Sequence, residues 1–305
     1  MDVLIDFVLT LRNVIVAFLV SWFRFFIPPE SKSVLNEVVL ITGAAHGLGQ
    51  AMACEFAKLG AIVVIWDINI KGLQETKDKI TTTGGKCHSY FCDVRDRDQV
   101  RSVGDKVRQD VGDVTILVNS AGKVVGKQLL ELKDAEIEDT FAVNLLAPIW
   151  TTKEFLPSIL ANNHGHIVNI SSSCGLIGIK QLVDYSASKF GVTGFTQTLN
   201  FEIHFSGHDG VHTTLVCPSY TKTGMFKGCK MAYPSILPDL EVQPTVKRIM
   251  KAILTNQNEV YIPRMVYVMA ALKNMLPVNA MQEIVRFVQA DKFMETFEGG
   301  HQTST

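Results

Sequence analysis

Val38-Val39-Leu40-Ile41-Thr42-Gly43-Ala44-Ala45-His46-Gly47-Leu48-Gly49 is the stretch that decides the fold. Its uncharged, β-branched and aliphatic opening reads as a strand buried on both faces. Glycines then interrupt the run, and Ala51, Met52, Phe56 and Leu59 follow with the spacing of a buried helix face. Strand, glycine turn and helix together open a βαβ unit.

Outward from that unit, short β-branched runs alternate with helix-length amphipathic segments as far as Ile262. The candidate strands are Val38 to Thr42, Ile62 to Trp66, Cys87 to Cys92, Ile116 to Asn119, His166 to Ser171, Thr213 to Cys217 and Glu259 to Ile262. The pattern predicts an α/β domain with a doubly wound, mostly seven-stranded parallel sheet covered by helices on both faces. Ligands in such sheets bind beyond the carboxyl ends of the strands. With 305 residues the chain can bury this core without disulfide or metal staples. A net charge of −1 and 19% charged residues leave no broad basic face for nucleic acid. The six cysteines form no CxxC pair and several sit in apolar runs, so they are expected to be reduced, non-catalytic thiols, and no metal site is expected.

The ends of the chain differ from its middle. Residues 3 to 27 are nearly all apolar, interrupted by Asp6, Arg12, Asn13 and Arg24, and as a helix would be about long enough to cross a bilayer. Arg12 leaves a full span and an interfacial helix both open. Asp2 and Asp6 replace the basic start of a cleaved signal peptide, and bulky Trp22 to Ile27 replace its cleavage site, so the segment is expected to be retained. Pro28-Pro29-Glu30-Ser31-Lys32-Ser33 reads as a linker. This gives an expected layout of anchor and linker over 1–33, a catalytic domain over 34–265, and an apolar extension and tail over 266–305. The stretch beyond Tyr261 through Phe297, with its apolar residues from Met265 to Val288, reads either as core helix or as a cap over a lipophilic pocket that rests on a membrane. The tail from Gly299 is polar and expected to fray.

The glycine turn has a chemical use. Gly43, Gly47, Leu48 and Gly49 would let the backbone approach a pyrophosphate at a helix N-terminus, whose N–H groups and dipole favour the anion. Asp67 ends the next strand, where a carboxylate can accept hydrogen bonds from both hydroxyls of an adenosine ribose and would repel a 2′-phosphate. NAD is therefore preferred to NADP, with His46 softening that preference if it is protonated. Farther on, Tyr185-Ser186-Ala187-Ser188-Lys189 places a phenol and an ammonium at i and i+4, on one helix face. Bringing a phenol to act as a base near neutral pH requires roughly 4 kcal/mol of preference for phenolate. A lysine ammonium and a nicotinamide's positive charge can supply an interaction of that size at reduced dielectric. Ser171-Ser172-Ser173 follows a strand, so one hydroxyl can orient a substrate oxygen beside Tyr185.

Taken together, TGxxxGxG, Asp67, Asn119-Ser120-Ala121-Gly122, Asn144, Ser172 and YxxxK have the order and spacing of the short-chain dehydrogenase/reductase family, which the chain resembles over about residues 35 to 265. The resemblance implies a Rossmann-like fold, with Ser172, Tyr185 and Lys189 as catalytic residues and Asn144 as the helix asparagine that holds a water linking Lys189 to solvent. It assigns Asp93 and Val94 to the adenine, Asn119, Ala121 and Gly122 to the segment that supports the sheet and passes the cofactor, and Pro218 to Thr223 to the nicotinamide amide. Two positions depart from the family pattern: Ser120 stands where a second asparagine is usual, and Ser219 where glycine usually follows the proline.

Thr223-Gly224-Met225-Phe226-Lys227-Gly228-Cys229, Asp184 and the N-terminal segment further resemble the membrane-bound epidermal retinol dehydrogenase and retinol dehydrogenase 10 branch, with 17β-hydroxysteroid relatives. The apolar residues Met225, Phe226, Met231, Tyr233, Ile236 and Leu237 suit a lid over a lipophilic alcohol. The implied activity is NAD-dependent oxidation of all-trans-retinol to retinal, with a 17β-steroid or other lipid alcohol as alternative and a membrane or lipid-droplet scaffold as the reading from another class. The same resemblance implies endoplasmic reticulum or lipid droplets as the location and leaves room for a homodimer.

Overall fold

A computed structural model describes residues 3–27 and 29–299. Asp2, Pro28 of the linker and the tail beyond Gly299 lie outside the described residues. The chain divides into two compact units, residues 1–32 and 33–305. Among the described residues of the first, 3–26 form one helix, α1 (Val3–Phe26), long and apolar enough over Val3–Val20 to cross a membrane.

The second unit is a three-layer α/β domain. Its strands are β1 (Val38–Thr42), β2 (Ile62–Asp67), β3 (Lys86–Phe91), β4 (Ile116–Asn119), β5 (Gly165–Ile170), β6 (Val211–Pro218) and β7 (Glu259–Ile262). All pair in parallel in the order β3-β2-β1-β4-β5-β6-β7. The seven expected strands are all present. The largest difference is β6, which runs from Val211 rather than Thr213 and continues to Pro218. Its start pairs with Gly165 and its end with Ile262. Those ladder bonds hold residues that the apolar run alone did not include.

Helices α2 (Gly47–Lys58), α3 (Ile70–Thr82) and α8 (Val242–Leu254) cover one face of the sheet; α4 (Arg97–Asp110), α6 (Ala147–Ala161) and α7 (Val183–Phe205) cover the other. Between α4 and α6 lies the short helix α5 (Asp134–Phe141). The stripes that bury are those the sequence period marks, such as Val100, Val103 and Val107 of α4. Leu40 and Trp66, both fully buried, point toward that second layer, while Ile41 and Ile65 point toward the first. Burial of each such side chain contributes roughly 1.5–3 kcal/mol. Strand order reverses between β1 and β4, and the loops that leave the two strands diverge there. After β7 the chain forms α9 (Met265–Met275) and α10 (Val278–Phe287), which belong to the same compact unit.

Candidate active site

A cavity of about 710 Å³ opens at the carboxyl ends of the strands. One end is made of backbone. Gly43 follows β1 with φ of +67°, a conformation that glycine adopts without strain, and a Cβ there would come within 2.6 Å of Ala121 Cα. Gly47, Leu48 and Gly49 of the first turn of α2 line the wall with His46, and no side-chain hydrogen bond or acidic residue neutralises that helix start. The positive end of the helix dipole is thereby presented to the cavity. Asp67, at the end of β2, is held by the backbone N–H of Ala45 at 3.0 Å and of Asn69 at 2.9 Å. Each carboxylate oxygen thus accepts one bond and keeps a lone pair for a ligand.

Asp93 and Val94 form the adjacent wall. Both oxygens of Asp93 are taken by Arg95, whose guanidinium also reaches Asp139 at 2.6 Å; hydrogen bonding to Arg95 holds the Asp93 carboxyl below its usual range. Lys123 pairs with the other oxygen of Asp139. This chain of charges joins the segment after β3, α5 and the segment after β4, and no sequence motif announced it.

The middle of the cavity is built from β5 and α7. Ser171, Ser172, Ser173, Tyr185 and Lys189 all line it. Ser171 spends its hydroxyl on the carbonyl of Lys189 at 2.9 Å, so it braces α7. Ser172 accepts the N–H of Cys174 at 3.1 Å, which leaves its own O–H hydrogen to donate elsewhere. Lys189 Nζ donates to the carbonyl of Ile170 at 2.9 Å and lies 5.8 Å from the centre of the Tyr185 ring. The i, i+4 spacing therefore does set both groups on one wall. Burial pushes the Tyr185 phenol above its ordinary value, with Ser172 acting in the opposite direction, and lowers Lys189 to about 8. In the protein alone desolvation is the largest influence on the phenol, and its direction is opposite to the lowering expected from the Tyr185–Lys189 spacing.

Asn119 and Asn144 stand behind the wall and do not form part of its lining. Asn119 Nδ2 donates to Asn169 Oδ1 at 2.8 Å, and its Oδ1 accepts from Thr151 at 2.6 Å, which ties β4 to β5 and α6. Asn144 sits in a π-helical turn, Ala142–Leu146, between α5 and α6. Its amide clamps the backbone of Lys123 from both sides, at 2.8 and 3.0 Å, and donates to Ser188 Oγ at 3.0 Å. Lys189 Nζ and Asn144 Oδ1 approach each other across Gly122: a Cβ on that glycine would lie 3.7 and 3.5 Å from them.

The far end is apolar. Met225, Phe226, Met231 and Leu237 reach the cavity there, whereas Tyr233 and Ile236 of the expected lid do not; Ala121 and Thr223 stand against the glycine turn, at Gly43 and Gly47, and Gly122 and Pro218 also line the cavity. Phe226 meets the Tyr185 ring edge-on at 5.6 Å and 90°. Helices α9 and α10 contribute Val266, Met269 and Val285, as a cap would. Val124, Val125, Ile177, Ile179, Val288 and Phe293 also line the cavity, and of these the sequence singles out only Val288. The apolar loop between the serines and Tyr185 was the available signal for Ile177 and Ile179.

Comparison with known proteins places this geometry. The short chain dehydrogenase family model matches residues 37–233. Human epidermal retinol dehydrogenase 2 is 46% identical over 254 residues, covering 83% of this chain and 82% of its own length. Human retinol dehydrogenase 10 is 40% identical over 332 aligned positions, covering 100% of this chain and 97% of its own. The crystal structure of a short-chain dehydrogenase/reductase from Burkholderia phymatum in complex with NAD superposes with a TM-score of 0.73 at 25% identity, over 80% of this chain and 95% of that one. A parallel sheet that switches direction at a glycine turn, with a serine, a tyrosine and a lysine beside it, is thus matched by both sequence and structure: the chain belongs to the short-chain dehydrogenase/reductase family.

Proposed function

We propose that this protein is a membrane-associated, NAD-dependent alcohol dehydrogenase that oxidises all-trans-retinol to retinal. The observation that carries the proposal is one cavity joining three surfaces: a backbone cradle at Gly43 with Asp67, the polar group Ser172, Tyr185 and Lys189, and an apolar end. The relatives named for retinol favour a retinoid among lipophilic alcohols.

The residues present fit NAD. A Cβ on Gly43 would collide with the backbone of Ala121, the first turn of α2 carries no acidic residue, and Asp67 keeps acceptor capacity for a ribose diol while opposing a 2′-phosphate. Gly43 to Gly49 would hold the pyrophosphate, Asp67 the ribose, Val94 the adenine, and Pro218 to Thr223 the nicotinamide amide. When bound, the cofactor supplies the acceptor for the carbon-bound hydrogen of the alcohol. Ser172 donates a hydrogen bond to the substrate oxygen and fixes its position. Tyr185, as phenolate, removes the hydroxyl proton as the carbon–oxygen double bond forms; in reduction the same phenol returns it. Lys189 stabilises the phenolate and holds the nicotinamide ribose, and Asn144 fixes the segment that Lys123 begins. The apolar end desolvates the site and binds the remote chain of the substrate.

Residues 1–33 act as the anchor, 34–265 as the catalytic domain and 266–305 as its apolar extension, with the catalytic unit on the cytosolic side of the endoplasmic reticulum. Membranes carrying the full chain, supplied with retinol, 17β-hydroxysteroids and long-chain alcohols, each with NAD and NADP, test this reading. Retinal formation with NAD is expected, and protease added to sealed membranes should digest the catalytic unit. Turnover of steroids with none of retinol would overturn the substrate, and no turnover of any alcohol would favour a scaffold.

A further inference from the structure

The segment Phe293 to Gly299 lies beyond the region that the family model matches, yet its two ends, Phe293 and Gly299, line the cavity. Its attachment is specific. The N–H of Glu298 donates to the carbonyl of Lys227 at 2.9 Å, the Thr296 hydroxyl to the carbonyl of Gly228 at 2.9 Å, and Lys227 and Gly299 form an antiparallel bridge. Met294 is 2% exposed and its sulfur lies 3.9 Å from that of Cys229. Phe293 packs at 5.9 Å against Phe226 and at 5.3 Å against Tyr220. Phe226 is the ring that meets Tyr185, so the segment reaches the reacting group through a single intermediary.

What seats the strap is a bare backbone. Gly126 has φ of +77°, and a Cβ there would lie 2.5 Å from two carbons of the Phe297 ring and 2.8 Å from Met294 Cε. Real Cβ atoms do not approach so closely, and an alanine would also be strained at that φ. Gly126 itself does not line the cavity. The ring of Phe297 fills the space a side chain would take, and this seat holds Phe293 one turn away against the wall.

We propose that Phe293 is a specificity-determining residue for the remote chain of the substrate, and that Gly126 sets it in place through Phe297 without touching substrate. The proposal rests on the reading of this site as one for a lipophilic alcohol. A long apolar alcohol draws binding energy from the strap wall, whereas a short alcohol with the same head group reaches Ser172 and Tyr185 without it.

The test compares Phe293→Ala and Gly126→Ala with the wild type, as full-length protein in membranes. The substrates are retinol and prenol, a short allylic alcohol. Both variants should lose about tenfold or more in kcat/KM for retinol, keep that for prenol within about twofold, and bind NADH with unchanged affinity by fluorescence. Equal losses on both alcohols, or no loss on retinol in either variant, would overturn the proposal. If Gly126→Ala fails to bind NADH and so has not folded, Phe293→Ala decides alone. If the wild type oxidises neither alcohol, the reading of function fails separately. Retinol binding, followed by quenching of tryptophan fluorescence, then decides for the strap: about tenfold weaker in the variants supports it, equal affinity overturns it.

Discussion

The two ends of the cavity are built on different plans. At the end marked by the glycine turn the chain uses main-chain groups and residues fixed by the strand ends: Gly43 to Gly49 follow one strand, and Asp67 ends its neighbour. At the substrate end it uses side chains from segments far apart, with Val124, Ile177, Phe226, Met269 and Phe293 meeting at one wall. The first plan is rigid because a parallel sheet fixes it. The second depends on packing between loops and terminal helices, where substitution alters shape without disturbing the sheet. One fold can in this way keep its cofactor and change its alcohol.

If the comparison is right, the largest effect comes from the residue between the two ends. Tyr185→Phe should lower turnover by about 10³-fold or more while NADH affinity and protein level stay unchanged, since the change removes only the hydroxyl proposed as general base. Loss of NADH binding in that variant would break the separation.

The next effect falls on the cofactor end alone. Asp67→Asn keeps an acceptor for Ala45 or Asn69 but removes the charge that opposes a 2′-phosphate. The ratio of kcat/KM with NAD to that with NADP should drop by about ten- to a hundredfold, with KM for retinol unaltered. An unchanged ratio would mean that another group reads the ribose.

A smaller effect sharpens the middle of the site. Burial raises the Tyr185 phenol, so the protonated form persists to higher pH than for a free tyrosine. Oxidation needs the phenolate and reduction the phenol. Hence kcat/KM for oxidation should rise from pH 6 to pH 9, by up to about tenfold per pH unit, while that for reduction does not rise. Lys189, lowered to about 8, loses its charge through the upper part of this window, so the oxidation limb should flatten there. A flat oxidation profile would show that the phenolate already forms below pH 6.

The same contrast explains what could be read in the sequence. The strands, and the meeting of the glycine turn, Asp67, Ser172, Tyr185 and Lys189 in one cavity, were legible because each is a local pattern with a fixed period or spacing. Met225, Phe226, Met231 and Leu237 were legible through composition as lining residues, but Tyr233 stacks on Phe287 and stays off the wall. Val124, Val125 and Phe293 were not singled out, since an isolated apolar residue carries no period and its partners lie in remote segments. The influence of burial on Tyr185 was also hidden, because desolvation belongs to the closed cavity and spacing reports only proximity. Asn119 and Asn144 stood out as motif residues, yet only the structure shows them bracing the wall from behind.

The π-helical turn that holds Asn144 has a consequence of its own. Such a turn amounts to one surplus residue in an otherwise α-helical path, so the helices on either side keep the phase they would have without it. Shortening the chain by one residue here would let α5 and α6 join as a regular helix, with their buried faces still in register and the clamp on Lys123 gone. A deletion of this size would be nearly silent in the packing of α5 and α6, and would be read instead at the bonds that Asn144 makes to Lys123 and Ser188.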